Sequence, residues 1–97
     1  MDHFKIINKK NFKKYVKKCF FCNDNNLNVL DVHRIFEGKN GGSYSSINVL
    51  VVCSNCHRKI HSNEIKVLKK HKSYNSNCNY LVECIINNQE KWLDCDY

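Results

Sequence analysis

Apolar positions near the N-terminus recur with a helical period. Four residues spaced i, i+3, i+4 and i+7 form one face of a predicted short helix, and they are Phe12, Tyr15, Val16 and Cys19. Asn11 is the candidate for the N-terminal cap of this helix. Residues 1–18 contain seven lysines. The helix therefore either lies on the phosphates of a nucleic acid or presents a solvated face that anchors the N-terminus.

Two short segments rich in β-branched residues predict strands in the middle of the chain, at residues 27–35 and 48–52. Residues 37–43 between them contain all three glycines, which predicts a loop. The second strand leads into Cys53-x-x-Cys56, and a short helix is expected from about His57.

The C-terminal part is predicted to be mostly β. Residues 64–72 fit either a strand or a helix, whereas residues 80–86 and 90–93, joined by Asn87-Asn88, predict a β-hairpin. Trp92 is expected in the core, with a stacking or docking surface as the alternative. We therefore expect an α+β fold with an N-terminal basic helix and a C-terminal hairpin.

The chain length and the net charge limit the classes of protein to which this sequence could belong. A chain of 97 residues predicts one domain, 1–97, in which we distinguish a core at 19–62 and an extension at 63–97. The net charge of +7 favours a polyanionic partner, most simply nucleic acid. Neither a secretory signal nor a membrane span is recognisable, so we expect an intracellular, cytoplasmic protein, and a viral or mobile-element origin would be compatible.

Two cysteine pairs carry the clearest chemical signal. Cys19-x-x-Cys22 and Cys53-x-x-Cys56 are separated by 30 residues, and thiols inside cells are more often metal ligands than disulfides. Two such turns predict a tetrahedral all-sulfur site for structural Zn²⁺, with no coordination position left open. The alternative is a set of unrelated free thiols. Three further cysteines are expected to be small buried hydrophobes, and they are Cys78, Cys84 and Cys95.

Three histidines could form a second site outside the thiol cluster. His57 and His61 lie one turn apart on the predicted helix, and His33 lies near the end of the first predicted strand. Together they could bind a metal ion with open coordination positions, as a catalytic metal requires. The alternative is that His57 caps the cysteine turn and His61 is merely exposed.

The order of these residues resembles that of the HNH, or ββα-metal, endonucleases. The resemblance covers residues 19–61, and its two Cys-x-x-Cys pairs are similar to the zinc-knuckle branch of the family. It rests on Leu30-Asp31-Val32-His33-Arg34-Ile35, Gly41-Gly42, Asn48, Cys53-x-x-Cys56-His57 and His61. It implies a small zinc-stapled ββα-metal core that hydrolyses DNA phosphodiester bonds with Mg²⁺ or another divalent ion, nicking one strand per active site.

The resemblance also implies roles for individual residues. A histidine near the end of the first strand activates water in this family, which is a role for His33. The family's asparagine orients the catalytic loop or touches the metal, which gives Asn48 two possible roles. The helix positions of the family fall on His57 and His61, and one or both of these histidines would hold the catalytic ion.

The pair His33-Arg34 departs from the family pattern, which usually has Asp-His or His-His. In one register His33 is a metal ligand and Arg34 occupies the position of the base, for which an arginine is poorly suited because it stays protonated. In the other register His33 is the base, Val32 replaces the metal ligand, and Arg34 contacts phosphate. We favour the second register, and reduced or lost activity remains compatible with the sequence.

The expected partner is DNA, with RNA not excluded, bound by a monomer or a homodimer. The candidate phosphate contacts are Arg34, Arg58, Lys59, Lys13 and Lys17. The main alternative function is a non-catalytic zinc module that binds nucleic acid. A protein-interaction zinc finger of the RING kind is a weaker alternative, since it does not call for the basic charge.

Overall fold

Two helices and two antiparallel sheets make up the part of the chain that the structure describes. The structure is a computed structural model and describes residues 5–6, 8–38, 41–74 and 79–97. The elements are α1 (Lys9–Val16), β1 (Leu30–Arg34), β2 (Val49–Cys53), α2 (Ser54–His61), β3 (Ile65–Lys72), β4 (Tyr80–Ile86) and β5 (Gln89–Cys95). β1 pairs with β2, and the second sheet has the order β3-β4-β5. The predicted α+β class is confirmed.

The N-terminus of α1 differs from the prediction. The cap is Asn8, whose Oδ1 accepts a hydrogen bond from the amide of Asn11 at 3.0 Å. Asn11 is therefore the third residue of the helix and not its cap. The extended backbone of Asn8 (φ −128°) suits a cap position, and its side chain pairs an amide that has no partner inside the helix.

The C-terminus of α1 comes earlier than the apolar spacing suggested. Lys17 takes a left-handed conformation (φ 74°), and its amide donates to the carbonyl of Lys13 at 2.7 Å. Cys19 therefore lies beyond the helix. Phe12 packs into the core, but Tyr15 is 69% exposed, so only part of the predicted face is buried.

The β1-β2-α2 unit places the candidate ligands close to one another. β1 begins only at Leu30, because a 3₁₀ turn occupies Leu27–Val29. In the antiparallel register Leu30 lies opposite Cys53, and all five residues of β2 are buried. α2 begins at Ser54, three residues earlier than predicted, directly after β2.

The C-terminal strands are present as predicted, and the ambiguous segment 64–72 is largely strand β3. β4 and β5 form the expected hairpin, in which Asn87 and Asn88 both have positive φ (51° and 65°). Asparagine tolerates this conformation, which two-residue hairpin turns need. Trp92 is 50% exposed on β5, so the expectation of a core position was wrong.

One hydrophobic cluster joins the two sheets and α1. It contains all of β2 together with Phe12 from α1 and Val82 from β4. Cys84 and Cys95 are buried in it, which confirms that part of the prediction, while Cys78 lies outside the described residues. No helix in the described ranges has both the length and the apolar character needed to cross a bilayer.

Candidate functional site

The four predicted cysteine ligands meet where β2 passes into α2. Their Sγ atoms lie within 4.8 Å of one another, and those of Cys22 and Cys53 are 3.5 Å apart. All four are free thiols; Cys22 is exposed and the other three are buried. Sulfurs about 2.3 Å from a tetrahedral zinc ion lie roughly 3.8 Å apart. The cluster could therefore hold a metal ion such as zinc.

Backbone hydrogen bonds hold both Cys-x-x-Cys turns in place. In the first turn, the amide of Phe20 donates to the carbonyl of Val51 at 2.8 Å, which docks this turn against β2. In the second turn, Cys53 is the N-cap of α2, and its Sγ accepts a hydrogen bond from the amide of Cys56 at 3.5 Å. The Cys53 sulfur thus lies at a helix N-terminus, where the helix dipole favours a thiolate.

The protonation of the metal-free cluster follows from burial and crowding. Burial, and then the neighbouring Cys19 thiol, raise the pKa of Cys56. Burial also acts to raise the pKa of Cys53, but hydrogen bonds from the Cys56 amide and from Cys22 outweigh it and lower this pKa. A metal ion that binds here must displace the remaining thiol protons, so its affinity should fall as the pH falls.

The three predicted histidines also come together. The ring centroids of His33 and His57 are 5.1 Å apart, and those of His57 and His61 are 4.7 Å apart. Among the residues that the structure describes, however, only the four cysteines place one ligand atom each within 4.8 Å of all the others. The imidazoles are in contact, but their side chains would have to rotate to share one ion.

Asp31 is a member of this cluster that the sequence analysis did not single out. Its Oδ2 lies 3.7 Å from Nδ1 of His57. Asp31 and His33 are two residues apart on β1, so they lie on the same face of the strand. This spacing could have indicated from the sequence that Asp31 lies near the histidines. Oδ2 of Asp31 and Nδ1 of His57 lie just beyond hydrogen-bond distance, and a hydrogen bond donated by Nδ1 to this carboxylate would leave Nε2 with a free lone pair.

The environment of His33 keeps its imidazole neutral. Burial lowers the pKa of His33 to about 4, and the nearby His57 and His61 act in the same direction, while Glu37 acts to raise it. A neutral imidazole has a lone pair at physiological pH, which both a metal ligand and a general base require.

The side chain of Asn48 is engaged with the loop between β1 and β2. Its Oδ1 accepts from the amide of Phe36 at 2.8 Å, and its Nδ2 donates to the carbonyls of Phe36 (3.0 Å) and Ser43 (2.8 Å). The carbonyl of Asn48 accepts from the amide of Ile35 at 2.7 Å. These contacts favour the role of holding the loop over the role of binding a metal ion.

Arg34 lies beside the ring of Tyr44, and both residues line the same cavity as the three histidines. Its Cζ is 4.4 Å from the centroid of the Tyr44 ring, and Nζ of Lys9 is 4.3 Å from the same centroid. The guanidinium is also so close to Gly38 that a Cβ atom there would meet Nη1 at 2.5 Å. Two cationic groups thus contact the same tyrosine ring, and no motif in the sequence predicted this arrangement.

Two adjacent cavities share lining residues here, and we call them together the basic groove. The first, of about 480 Å³, is lined by Val32, His33, Arg34, Glu37, Gly38, Tyr44, His57 and His61. The second, of about 870 Å³, contains four lysines of α1, and they are Lys9, Lys10, Lys13 and Lys14. Val32, Tyr44 and His57 line both cavities. The groove therefore runs from the histidines to α1.

The other predicted phosphate contacts have different surroundings. Nζ of Lys13 donates to the carbonyl of Leu30 at 2.9 Å, so this lysine ties α1 to β1 as well as lining the groove. Lys17 is exposed at the C-terminus of α1, and Arg58 and Lys59 are exposed on α2. Their contact with nucleic acid stays a prediction.

The HNH-like pattern of residues 19–61 has no support from the comparisons with known proteins. No protein-family model, no curated protein and no solved structure matches it. The geometry of the described residues therefore provides the basis for a functional proposal.

Proposed function

We propose that this protein is a metal-dependent endonuclease of the HNH type that hydrolyses DNA phosphodiester bonds. The observation that supports it best is the contact of three imidazoles from β1 and α2, those of His33, His57 and His61, in the part of the basic groove that lies away from α1. Imidazoles can bind a divalent ion and activate water, and a basic groove attracts the backbone whose phosphates would react.

The thiol cluster has a structural role in this proposal. The four cysteines would hold a zinc ion through all four sulfurs, which would leave no ligand position for a substrate. A zinc ion held there would stabilise the junction between β2 and α2, and with it the position of His57, the residue that follows Cys56. The energy of metal binding thus becomes energy of folding for the site.

A second divalent ion at the histidines would be held by His57 and His61. When bound, such an ion supplies charge stabilisation for the phosphate and for the leaving oxygen. Asp31 orients His57 through its Nδ1 atom. Asn48 acts on the site indirectly, by holding Phe36 and Ser43 of the loop that follows β1.

His33 and Arg34 have two different roles in this proposal. The neutral imidazole of His33 takes a proton from water, and Arg34, together with Lys9 beside Tyr44, attracts the phosphate into the groove. Arginine binds phosphate through two parallel hydrogen bonds, so it contributes to orientation as well as to charge.

The test is a plasmid-nicking assay with Mg²⁺, Mn²⁺, Ni²⁺ and Zn²⁺ added separately. The wild type should convert supercoiled DNA to the nicked form, and His33→Ala and His57→Ala should each abolish cutting. His71→Ala is the matched control, because His71 lies on β3 and pairs with Glu83 at 2.9 Å. It should cut at the wild-type rate.

The main alternative is a nucleic-acid-binding module without catalysis, and the departure of His33-Arg34 from the family pattern favours it. This alternative predicts retarded DNA in a gel shift and no nicking with any of the four metals. That result would refute the proposed enzyme and leave the structural zinc site intact.

A further inference from the structure

Lys70 on β3 is buried in the core although it carries an amine. It is 2% exposed. Its Nζ donates to the carbonyl of Ser46 at 2.6 Å and to that of Val49 at 3.0 Å. It also lies 4.6 Å from the ring centroids of both Tyr80 and Tyr97. Two carbonyls, two aromatic rings and the Cys95 thiol thus surround the ammonium.

A lysine is rarely buried to this degree, because removing its charge from water is costly unless the charge is paired. Burial accordingly lowers the pKa of Lys70 to about 8, with Cys95 acting in the opposite direction. Strand pairing places Lys70 opposite Val82, which is also buried, so an apolar residue could fill the position. It would leave the two carbonyls without this donor.

The two carbonyls belong to the backbone on either side of Asn48. Ser46–Asn48 is a 3₁₀ turn, and Val49 begins β2. From this turn, the side chain of Asn48 holds Phe36 and Ser43 of the loop. Hydrogen bonds therefore connect the C-terminal sheet to the loop that follows His33 and Arg34.

We infer that Lys70 is a positioning residue for the candidate active site: its buried ammonium fixes the Ser46–Asn48 turn, and through Asn48 it fixes Phe36 and Ser43 of the loop between β1 and β2. The inference rests on the proposed function where it concerns activity, but the structural link can be measured separately. It makes the C-terminal sheet part of the site, although the HNH resemblance ends at residue 61.

The variant for the test is Lys70→Met, which keeps an unbranched chain and removes the donors. Lys69→Met is the matched control, because Lys69 is the exposed neighbour on the same strand. Val82→Ala serves as a second control, because it removes buried apolar contacts from the same sheet and keeps the Lys70 donors. All three are compared with the wild type after zinc content and thermal unfolding have been measured.

The readout that does not depend on activity is hydrogen exchange at the amide of Phe36, which donates to Oδ1 of Asn48. In Lys70→Met we expect this amide to exchange roughly tenfold faster than in the wild type. The amides paired between β1 and β2 should keep their protection. In Lys69→Met and Val82→Ala, Phe36 should change no more than those strand amides.

The activity readout separates positioning from binding. Lys70→Met should lower kcat for nicking by roughly tenfold while the Kd for DNA stays within about twofold. A folded Lys70→Met protein with wild-type exchange at Phe36 and wild-type kcat would overturn the inference. If the wild type does not cut DNA, the proposed function fails, and the exchange at Phe36 still decides the role of Lys70.

A measurement on the wild type covers the case in which Lys70→Met does not fold. The ammonium protons of Lys70 should give a slowly exchanging NMR signal with nuclear Overhauser contacts to Tyr80, Tyr97 and the Ser46–Asn48 turn. An ammonium that exchanges at the rate of the exposed Lys69, without those contacts, would overturn the inference.

Discussion

Asn48→Asp separates the two roles that the sequence left open for this residue. Aspartate has the same shape as asparagine and can still accept the hydrogen bond from the Phe36 amide. It loses the Nδ2 donor, however, and places a carboxylate oxygen against the carbonyls of Phe36 and Ser43. If Asn48 holds the loop, the substitution should therefore lower the stability of the protein. If Asn48 is a metal ligand, the affinity for the divalent ion should stay the same or increase.

The expected size of the effect follows from the two lost hydrogen bonds. Each contributes about 0.5–1.5 kcal/mol net, which gives roughly 2 kcal/mol for the pair before any repulsion between oxygens. Asn48 is half-buried, so water can relieve part of the repulsion. For a domain of this size, about 2 kcal/mol lowers Tm by roughly 8–16 °C.

The assay is thermal unfolding followed by circular dichroism, at a fixed excess of zinc because a bound metal shifts Tm. Titration calorimetry with Mg²⁺ and Mn²⁺ measures binding at the histidines. Asn11→Asp is the matched control, because it makes the same change of charge on α1, away from the loop. The control should leave Tm within about 2–3 °C of the wild type, as expected for a surface substitution.

One result would refute the reasoning. If Asn48→Asp keeps the wild-type Tm and binds a divalent ion more tightly, the side chain belongs to the metal site and not to the loop. The assignment of Asn48 as the residue that holds the loop would then be wrong, and so would the hydrogen-bonded link from Lys70 to the loop.

Three further predictions concern the metal cluster, the pH and the groove. Cys56→Ser should lose the zinc measured by metal analysis and lower Tm sharply, and a variant that kept one zinc and its Tm would contradict the cluster. Because the folded pKa of His33 is depressed to about 4, its contribution to the stability of the metal-free chain is complete above about pH 6.5 and is lost as the pH falls toward 4. His33→Asn should flatten that part of a pH series of urea unfolding, and an unchanged slope would contradict this. Arg34→Ala should weaken DNA binding and reduce the slope of log Kd against log salt by about 1; an unchanged slope would exclude a phosphate contact.

The sequence predicted the local parts of this protein well. The strand segments, the hairpin turn at Asn87-Asn88 and the helix that carries His57 and His61 follow from the order of neighbouring residues. The meeting of the two cysteine pairs was also predictable, because four thiols at ligand spacing in one small domain have few other arrangements. The two wrong predictions, at Asn11 and Cys19, concern the ends of α1. The helix begins after Asn8 and ends before Lys17, and such boundaries are the least predictable part of a helix.

By itself, then, the sequence determined which residues could act as ligands, since spacings of two and four residues are set by the geometry of a turn and a helix. The tertiary structure decided which partners those residues have. Only folding brings Asp31 to His57, the loop to Asn48, and the amine of Lys70 to two carbonyls more than twenty residues away in the chain. Such contacts depend on how β1, β2 and the C-terminal sheet pack together, and no short stretch of sequence encodes that packing.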